Sequence, residues 1–262
     1  MDIKIGVSFV FVVLMSGLTP TLHAQEKRPP SIKMDTVRMN MNGYTMLQVI
    51  GPDGKVAEEG YMKGKQLDGV WTTFHGNGFP ASITSYRAGQ KQGVAMVMGK
   101  DGYLEQMITY KNDLYHGPFR VYFKGARLNK EIYYNEGVED GFKKIYYFEG
   151  GMQEEGRMKN GKREGQTTWY YVNGKKAVVY EYSNGELNGN AATYNEEEVV
   201  TQMGAYKNGK QEGWWKEFTD GGLIKEEGPY KNGVKDGEWK RYDDKGKFLK
   251  VVRYQEGVEI NP

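Results

Sequence analysis

Two residue types recur along this chain with a period of 24 residues and no slippage. The glycine column, called the anchor glycines below, is Gly69, Gly93, Gly117, Gly141, Gly165, Gly189, Gly213 and Gly237. The tyrosine column is Tyr86, Tyr110, Tyr134, Tyr182, Tyr206, Tyr230 and Tyr254, with Met158 in the remaining slot. Such a period indicates one short structural unit copied in series, in which each copy contacts mainly its neighbours. Because an enzyme needs unlike residues from distant segments, the period favours a binding or scaffolding role.

Two turn signals divide each copy. The first is an Asn-Gly pair, found at Asn160-Gly161, Asn184-Gly185, Asn208-Gly209 and Asn232-Gly233. This pair tolerates the positive φ angles that a two-residue hairpin turn of type I′ requires. The second signal stands about nine residues after each anchor glycine, as at Asn77-Gly78, Asp101-Gly102 and Asn173-Gly174. The segments between the turns have the length of β-strands.

These segments predict an all-β fold: an elongated single-layer antiparallel β-meander built from tandem 24-residue β-hairpin repeats. Apolar residues stand five positions after each anchor glycine and six positions before most of the tyrosine slots. The second of these columns shares strand parity with the tyrosines, so both lie on one face. Cross-strand pairs of this kind contribute about 0.2–1 kcal/mol each. Their sum can hold together a sheet that has no central core.

The anchor glycines have two candidate structural roles. Glycine relieves strain where a strand leaves its turn, and it also leaves room for a neighbouring tyrosine ring. Three features depart from the repeat: one extra residue between Gly64 and Gly69, Asp113 in place of a turn glycine, and Glu198 at a second turn. We interpret them as variation in loops.

The first 24 residues do not belong to the array. Lys4 precedes an apolar run from Ile5 to Leu18, and small residues lead to Ala24. This pattern predicts a Sec-type signal peptide over residues 1–24, cleaved after Ala24, and an exported protein in the periplasm or outside the cell. An uncleaved anchor is the alternative. However, the run is shorter than the roughly 20 residues of a spanning helix. We expect no transmembrane segment in the mature chain.

Four further segments are expected after the signal peptide. Residues 25–36 hold two prolines and several charges, and they predict a flexible leader. Residues 37–60 predict capping strands that are out of phase with the array and cover its first edge. The repeat array spans residues 61–257, and residues 258–262 form a short C-terminal tail.

Composition excludes several classes of function. The chain has no cysteine, which removes disulfides, thiol catalysis and zinc sites of the cysteine type. Its formal net charge is +2, and basic and acidic residues are interspersed. A nucleic-acid-binding protein normally shows a clustered basic face, so we expect no nucleic acid partner.

The unit Tyr-x-Asn-Gly-x-x-x-Gly-x-Trp-x-x-Tyr, clearest from Tyr230 to Tyr242, resembles the MORN repeat. It is closest to the bacterial variant found in proteins labelled as an antitoxin-component family, and the resemblance covers residues 61–257. The resemblance implies an elongated single-layer sheet with a groove along one face. It also implies a role in protein–protein contacts, since MORN arrays generally mediate them, and some are proposed to meet phospholipids. An antitoxin-type neutralising partner is the alternative, and the predicted export then requires an exported toxin.

Side chains suited to catalysis are sparse. His75 and His116 occupy different phases of the repeat beside turns, which fits surface positions better than metal ligands. Adjacent carboxylates such as Glu154 and Glu155 point to opposite faces of a strand, whereas a glycosidase needs two carboxylates that face each other across a cleft. No glycine opens a helix as a phosphate-binding loop does. We expect a non-enzymatic protein with no catalytic residue, cofactor or metal site.

The candidate binding residues are the tryptophans Trp71, Trp169, Trp214, Trp215 and Trp239. Trp71, Trp215 and Trp239 share one phase, two residues after an anchor glycine. Packing within the sheet is the first interpretation of these residues. The second is an exposed aromatic strip, because aromatic residues dominate binding hot spots. The expected partner is a protein, with polysaccharide and anionic lipid as alternatives.

Overall fold

The computed structural model describes residues 35–260, which form one open antiparallel sheet of 22 strands without any helix. The strands are β1 (Asp35–Met41), β2 (Tyr44–Ile50), β3 (Val56–Lys63), β4 (Gln66–Phe74), β5 (Pro80–Arg87), β6 (Gln90–Met98), β7 (Leu104–Lys111), β8 (Leu114–Tyr122), β9 (Leu128–Asn135), β10 (Val138–Tyr146), β11 (Met152–Lys159), β12 (Lys162–Arg163), β13 (Gly165–Tyr170), β14 (Lys176–Ser183), β15 (Glu186–Tyr194), β16 (Val200–Lys207), β17 (Lys210–Phe218), β18 (Ile224–Lys231), β19 (Val234–Lys235), β20 (Gly237–Tyr242), β21 (Phe248–Gln255) and β22 (Val258–Ile260). Consecutive strands pair along the chain, except that β12 and β13 both pair with β11 and that β19 and β20 both pair with β18, so the predicted elongated meander is confirmed.

The two predicted turn types lie at opposite margins of the sheet. Two-residue turns form the tight-turn margin, and at Asn160-Gly161 both residues have positive φ, +50° and +77°. Turns of five residues form the other margin. In one of them the Gly99 N–H donates to the Tyr103 carbonyl at 2.9 Å, and the Gly102 N–H donates to the Gly99 carbonyl at 2.8 Å. The turn residues Asp113 and Glu198 keep positive φ without being glycine.

Each anchor glycine lies in a β-bulge. Between β5 and β6, Tyr86 pairs with Lys91, whereas Thr84 pairs with Ala95, so β6 carries two extra residues around Gly93. All eight anchor glycines have φ between +71° and +128°, a region that side chains disfavour. A Cβ added at Gly93 would touch only Ser85, and no tyrosine ring. The backbone conformation explains the whole column, whereas room for a tyrosine side chain is needed at Gly69 and Gly141, where a Cβ would approach Tyr61 and Tyr133.

The two sequence columns meet across the sheet. Each anchor glycine is the direct cross-strand partner of the tyrosine slot on the following strand, as Gly93 is of Tyr110 and Gly237 is of Tyr254. In the same register Gly141 faces Met158, the one departure in the tyrosine column. The two columns are offset by 17 residues because this spacing places each anchor glycine opposite its tyrosine slot on the next strand.

The expected extra residue between Gly64 and Gly69 is wrong. The tight turn Gly64-Lys65 matches the turn Ala88-Gly89 one period later, and the strands that follow both turns have nine residues. Gly64, with φ +62°, takes the first turn position, as glycine does in a type II′ turn. In the next copy the turn glycine is Gly89, at the second turn position. The turn glycine therefore stands one residue closer to its anchor glycine than Gly64 does, although neither copy contains an inserted residue.

The capping strands are partly in phase with the array. The turn from Gly51 to Lys55 has the same hydrogen bonds as the later five-residue turns and stands on the 24-residue period. The period places an anchor glycine at position 45, where the chain has Thr45, and β2 pairs with β1 without a bulge. The tight turn Asn42-Gly43 consequently falls two residues late relative to the period. Of the predicted capping strands, only the hairpin of β1 and β2 is out of phase with the array, as predicted.

Two segment boundaries also differ from the expectation. Asp35 and Thr36 belong to β1 rather than to the leader, and residues 258–260 form β22 rather than a tail. Backbone pairing with the neighbouring strand explains both differences, because β1 pairs with β2 and β22 pairs with β21. The predicted signal peptide and the rest of the leader lie outside the described residues. Over the described range no helix is long and apolar enough to cross a membrane.

The two faces of the sheet differ in burial. The aromatic face carries the tyrosine column, the residues two positions before it and the residues two positions after each anchor glycine. The outer face carries the residues one and three positions after each anchor glycine and their cross-strand partners. The buried apolar residues all lie on the aromatic face: Ala95, Ile108, Tyr110, Ile132, Ala191, Trp215, Trp239 and Val252. The core of this single-layer sheet is therefore the aromatic face.

Candidate binding surface

The C-terminal half of the aromatic face is a continuous ladder of edge-to-face rings. Ring centroids are 5.2 Å apart between Tyr206 and Trp215, and 5.8 Å apart between Trp215 and Tyr230. The ladder continues through Trp239, 5.1 Å from Tyr230, to Tyr254. Edge-to-face pairs add about 0.5–1.5 kcal/mol beyond area burial. Burial raises the pKa of Tyr206 and of Tyr230 to about 12, so both phenols are neutral at physiological pH.

The structure places the tryptophans of one phase inside this ladder. Trp215 is 2% exposed and Trp239 is fully buried, and their indole N–H groups donate to the carbonyls of Ala205 and Pro229. Neither side chain offers an accessible surface, so they do not belong to a binding strip. Trp214 is 51% exposed, because adjacent strand residues point to opposite faces and Trp214 lies on the outer face.

Trp71 and Trp169 are half-buried and hydrogen-bonded to carboxylates. The Trp71 indole donates to Glu58 at 3.1 Å, and the Trp169 indole donates to Glu154 at 3.0 Å. Glu154 is itself buried and forms an ion pair with Arg163 at 2.8 Å. Both indoles therefore stabilise the aromatic face. The five candidate tryptophans do not come together as one surface.

Size complementarity across the strands, which the sequence reasoning missed, explains how the large indoles fit. Gly204 lies against Trp215 and Gly228 lies against Trp239, and a Cβ at either glycine would overlap the indole ring. Neither glycine has positive φ, so space rather than backbone conformation requires them. The sequence does carry the signal: wherever tryptophan follows an anchor glycine by two residues, glycine stands eleven residues before that tryptophan, as Gly60, Gly204 and Gly228 do before Trp71, Trp215 and Trp239.

One uncharged area of the outer face lies on β4 to β7. We call it the outer patch and define it by Val70, Ile83, Val94, Met96 and Met107. Val70 and Val94 are 45% and 44% exposed. Ile83 and Met96 are cross-strand partners, and so are Met96 and Met107. Threonine and serine fill the remaining outer-face positions beside them, so the outer patch contains no charge.

Charged residues surround the outer patch. Arg120, the cross-strand partner of Met107, forms an ion pair with Glu131 at 2.7 Å. At the tight-turn end of β3, β5 and β7, the outer face carries the exposed cations Lys63, Arg87 and Lys111. At the equivalent positions in the C-terminal half, the outer face carries Gln166, Asn190, Trp214 and Glu238 after the anchor glycines instead of valine. Exposed apolar side chains occur there too, but Met203 and Val251 each pair with a lysine, Lys216 and Lys240.

Consecutive hairpins are joined by a recurrent hydrogen bond at the tight-turn margin. The side chain before an anchor glycine accepts the backbone N–H of the turn residue 20 positions later, as Glu164 accepts Asn184 N–H at 2.8 Å. The acceptors are Asp68, Gln92, Asp140, Glu164, Glu212 and Asp236. These bonds fix each turn to the next hairpin.

His116 occupies this acceptor position in the third copy, and its buried Nδ1 has no hydrogen-bond partner in the described structure. The turn N–H at the corresponding place belongs to Glu136. His116→Asp should therefore raise the free energy of unfolding by about 1 kcal/mol, because a net hydrogen bond is gained. A shift of the urea midpoint at constant slope would measure it. His116→Ala is the control, and equal stability of the two variants would contradict the prediction.

Among residues 35–260, no three His, Asp or Glu side chains come close enough to hold a metal ion. His75 Nε2 hydrogen-bonds to the Met98 carbonyl, and Asp113 accepts the Lys91 N–H at 2.8 Å. Two shallow depressions at the tight-turn margin contain neither histidine. His75 and Asp113 thus have structural partners at the margins.

No protein-family model and no curated protein sequence matches this chain. The site must therefore be interpreted from its own geometry, and its most distinctive accessible feature is the outer patch.

Proposed function

We propose that this chain is an exported, non-enzymatic MORN-type repeat protein that binds a protein partner through the outer patch. The observation that carries the proposal is the group of uncharged side chains on the outer face of β4 to β7, in which Val70 and Val94 are exposed. Contiguous exposed apolar patches mark interaction sites on soluble proteins. The hydrogen-bonded hairpins provide the rigid support that such a surface needs.

The alternative partners are less well supported by the geometry. A polysaccharide site requires exposed aromatic rings lying side by side, whereas Trp215 and Trp239 are buried and their ring contacts are edge-to-face. Anionic lipid requires a one-sided basic stripe. Lys159 and Lys231 extend the cations of the tight-turn margin, but Asp140 and Glu212 lie at the same margin and reduce its net charge.

Site-specific photo-crosslinking tests this function. A benzophenone amino acid at position 94 should give a discrete adduct with another protein in intact cells. The matched control is position 190, which follows an anchor glycine in the same way but lies outside the outer patch. Val94 and Asn190 are both exposed, so neither replacement should disturb the fold. Equal adducts from both positions, or none from position 94, would overturn the proposal.

Export has its own test. The proposed signal peptide predicts that the protein recovered from outside the cytoplasm begins at Gln25, which N-terminal sequencing would show. A chain that stays in the cytoplasm with Met1 in place would rule out export, and it would restore the antitoxin-type alternative.

A further inference from the structure

The dimensions of the outer patch limit what can cover it. Its two rows, Val70 with Val94 and Ile83 with Met96 and Met107, are two residues apart along the strands, or about 7 Å. Four strands at about 4.8 Å spacing give a length of roughly 19 Å with side chains included. A stable contact between two copies of a chain needs about 800 Å² from each partner. The outer patch as defined is a strip smaller than that, and the apolar pairs Phe74–Pro80 and Met98–Leu104 continue the same face toward the five-residue turns.

Three cations lie along one side of the strip. Lys63, Arg87 and Lys111 stand two residues from the Val70 and Val94 row, toward the tight turns, and they recur every second strand, or about 9.6 Å. Arg87 and Lys111 form no ion pair with any of the described residues. Lys63 lies 5.7 Å from the Tyr44 ring centroid. The strip is therefore flanked by a regular row of cations, and Asp68 and Asp113, which accept the Ala88 and Lys91 N–H groups, lie at the same margin.

An α-helix laid along the strip matches both dimensions. Its diameter of about 10 Å covers two rows, and seven helical residues rise about 10.5 Å, close to the spacing of the cations. An amphipathic helix places apolar residues at i, i+3, i+4 and i+7 on one face and repeats a flanking residue every heptad. Met96 and Met107 suit such a helix, because methionine adapts to irregular apolar surfaces.

We propose that the outer patch binds one amphipathic helix of the protein partner, whose flank carries Asp or Glu residues that face Arg87 and Lys111. This inference rests on the proposed protein-binding function and adds the form and charge of the bound element. It is the helix-in-groove mode of peptide recognition, in which apolar anchors give affinity and flanking charges give orientation.

Peptide display tests the inference. A library of random 20-residue peptides is panned against the purified protein, with Val94→Lys used for counter-selection. We expect winning peptides with a helical apolar period and an acidic flank. Fluorescence anisotropy of a synthesised winner should show at least a tenfold weaker Kd for Val94→Lys, about a threefold to tenfold weaker Kd for Arg87→Glu, and no change for Asn190→Lys. Circular dichroism of the bound peptide should show helix.

Three outcomes would overturn the helix. They are enriched peptides whose apolar residues lack a helical period, enriched peptides that bind Val94→Lys equally well, and the absence of any enriched peptide. Pelleting with vesicles of phosphatidylcholine and phosphatidylglycerol that is lost in Val94→Lys would assign the strip to a membrane instead. Sedimentation that shows self-association through Val94 would assign it to a second copy. A protein adduct at position 94 together with non-helical winners would leave the protein-binding function standing and reject only the helix.

Discussion

Replacing Trp215 by alanine should lower the free energy of unfolding by about 3–5 kcal/mol, the range for large aromatic residues removed from a core. The side chain is 2% exposed, lies between Tyr206 and Tyr230, and donates its indole N–H to the Ala205 carbonyl. Its loss leaves a cavity in a layer only one sheet thick, where no second layer can move in to fill it. The repeats beside it depend on the same ring contacts, so the loss should extend to neighbouring hairpins.

The adjacent residue supplies the control. Trp214→Ala removes an indole of the same size from the same strand, but that indole is 51% exposed on the outer face. We expect a change within about 0.5 kcal/mol, as for most surface substitutions. Urea denaturation followed by far-ultraviolet circular dichroism measures both variants on one scale. Similar losses for the two variants would show that the aromatic face is not the core.

The sequence period was sufficient to predict the architecture. Turn residues with positive φ and strand-length segments leave a meander as the simplest arrangement, and β4 to β21 follow it. The period also contains the register, because Gly93 and Tyr110 face each other across the sheet and their offset recurs in every copy. The period did not reveal the bulge at each anchor glycine. A bulge depends on positive φ angles, which glycine permits but does not require.

The candidate site was harder to predict, for a reason visible in one dipeptide. Trp214 and Trp215 are identical side chains on consecutive residues, and only the choice of the packed face makes one exposed and the other buried. Both faces carry aromatic and apolar columns, so composition does not identify the packed face. The outer patch depends on differences between copies, such as Val94 against Asn190. The repeat pattern consists of the residues that the copies share, so it does not contain these differences.

Gly204 and Trp215 should show strong energetic coupling, because their sizes are complementary. A side chain at Gly204 would overlap the indole, so Gly204→Tyr alone should cost about 3 kcal/mol or more through overpacking. One period earlier the same two positions hold Tyr180 and Ala191, the large residue on the first strand and the small one on the second. Gly204→Tyr combined with Trp215→Ala would reproduce that pair.

We expect the double variant to be at least about 1–2 kcal/mol more stable than the sum of the two single losses predicts, a coupling typical of residues in direct contact. The comparison requires the four free energies of a double-mutant cycle from urea denaturation. Gly204→Tyr with Trp214→Ala is the matched cycle, and it should be additive because Trp214 lies on the other face. Additivity in both cycles would mean that the glycine opposite each tryptophan does not serve to make room for it. Coupling in the first cycle alone would establish that each cross-strand pair holds one large and one small side chain, and that the large one can stand on either strand. A strict backbone repeat can accommodate unlike side chains in this way.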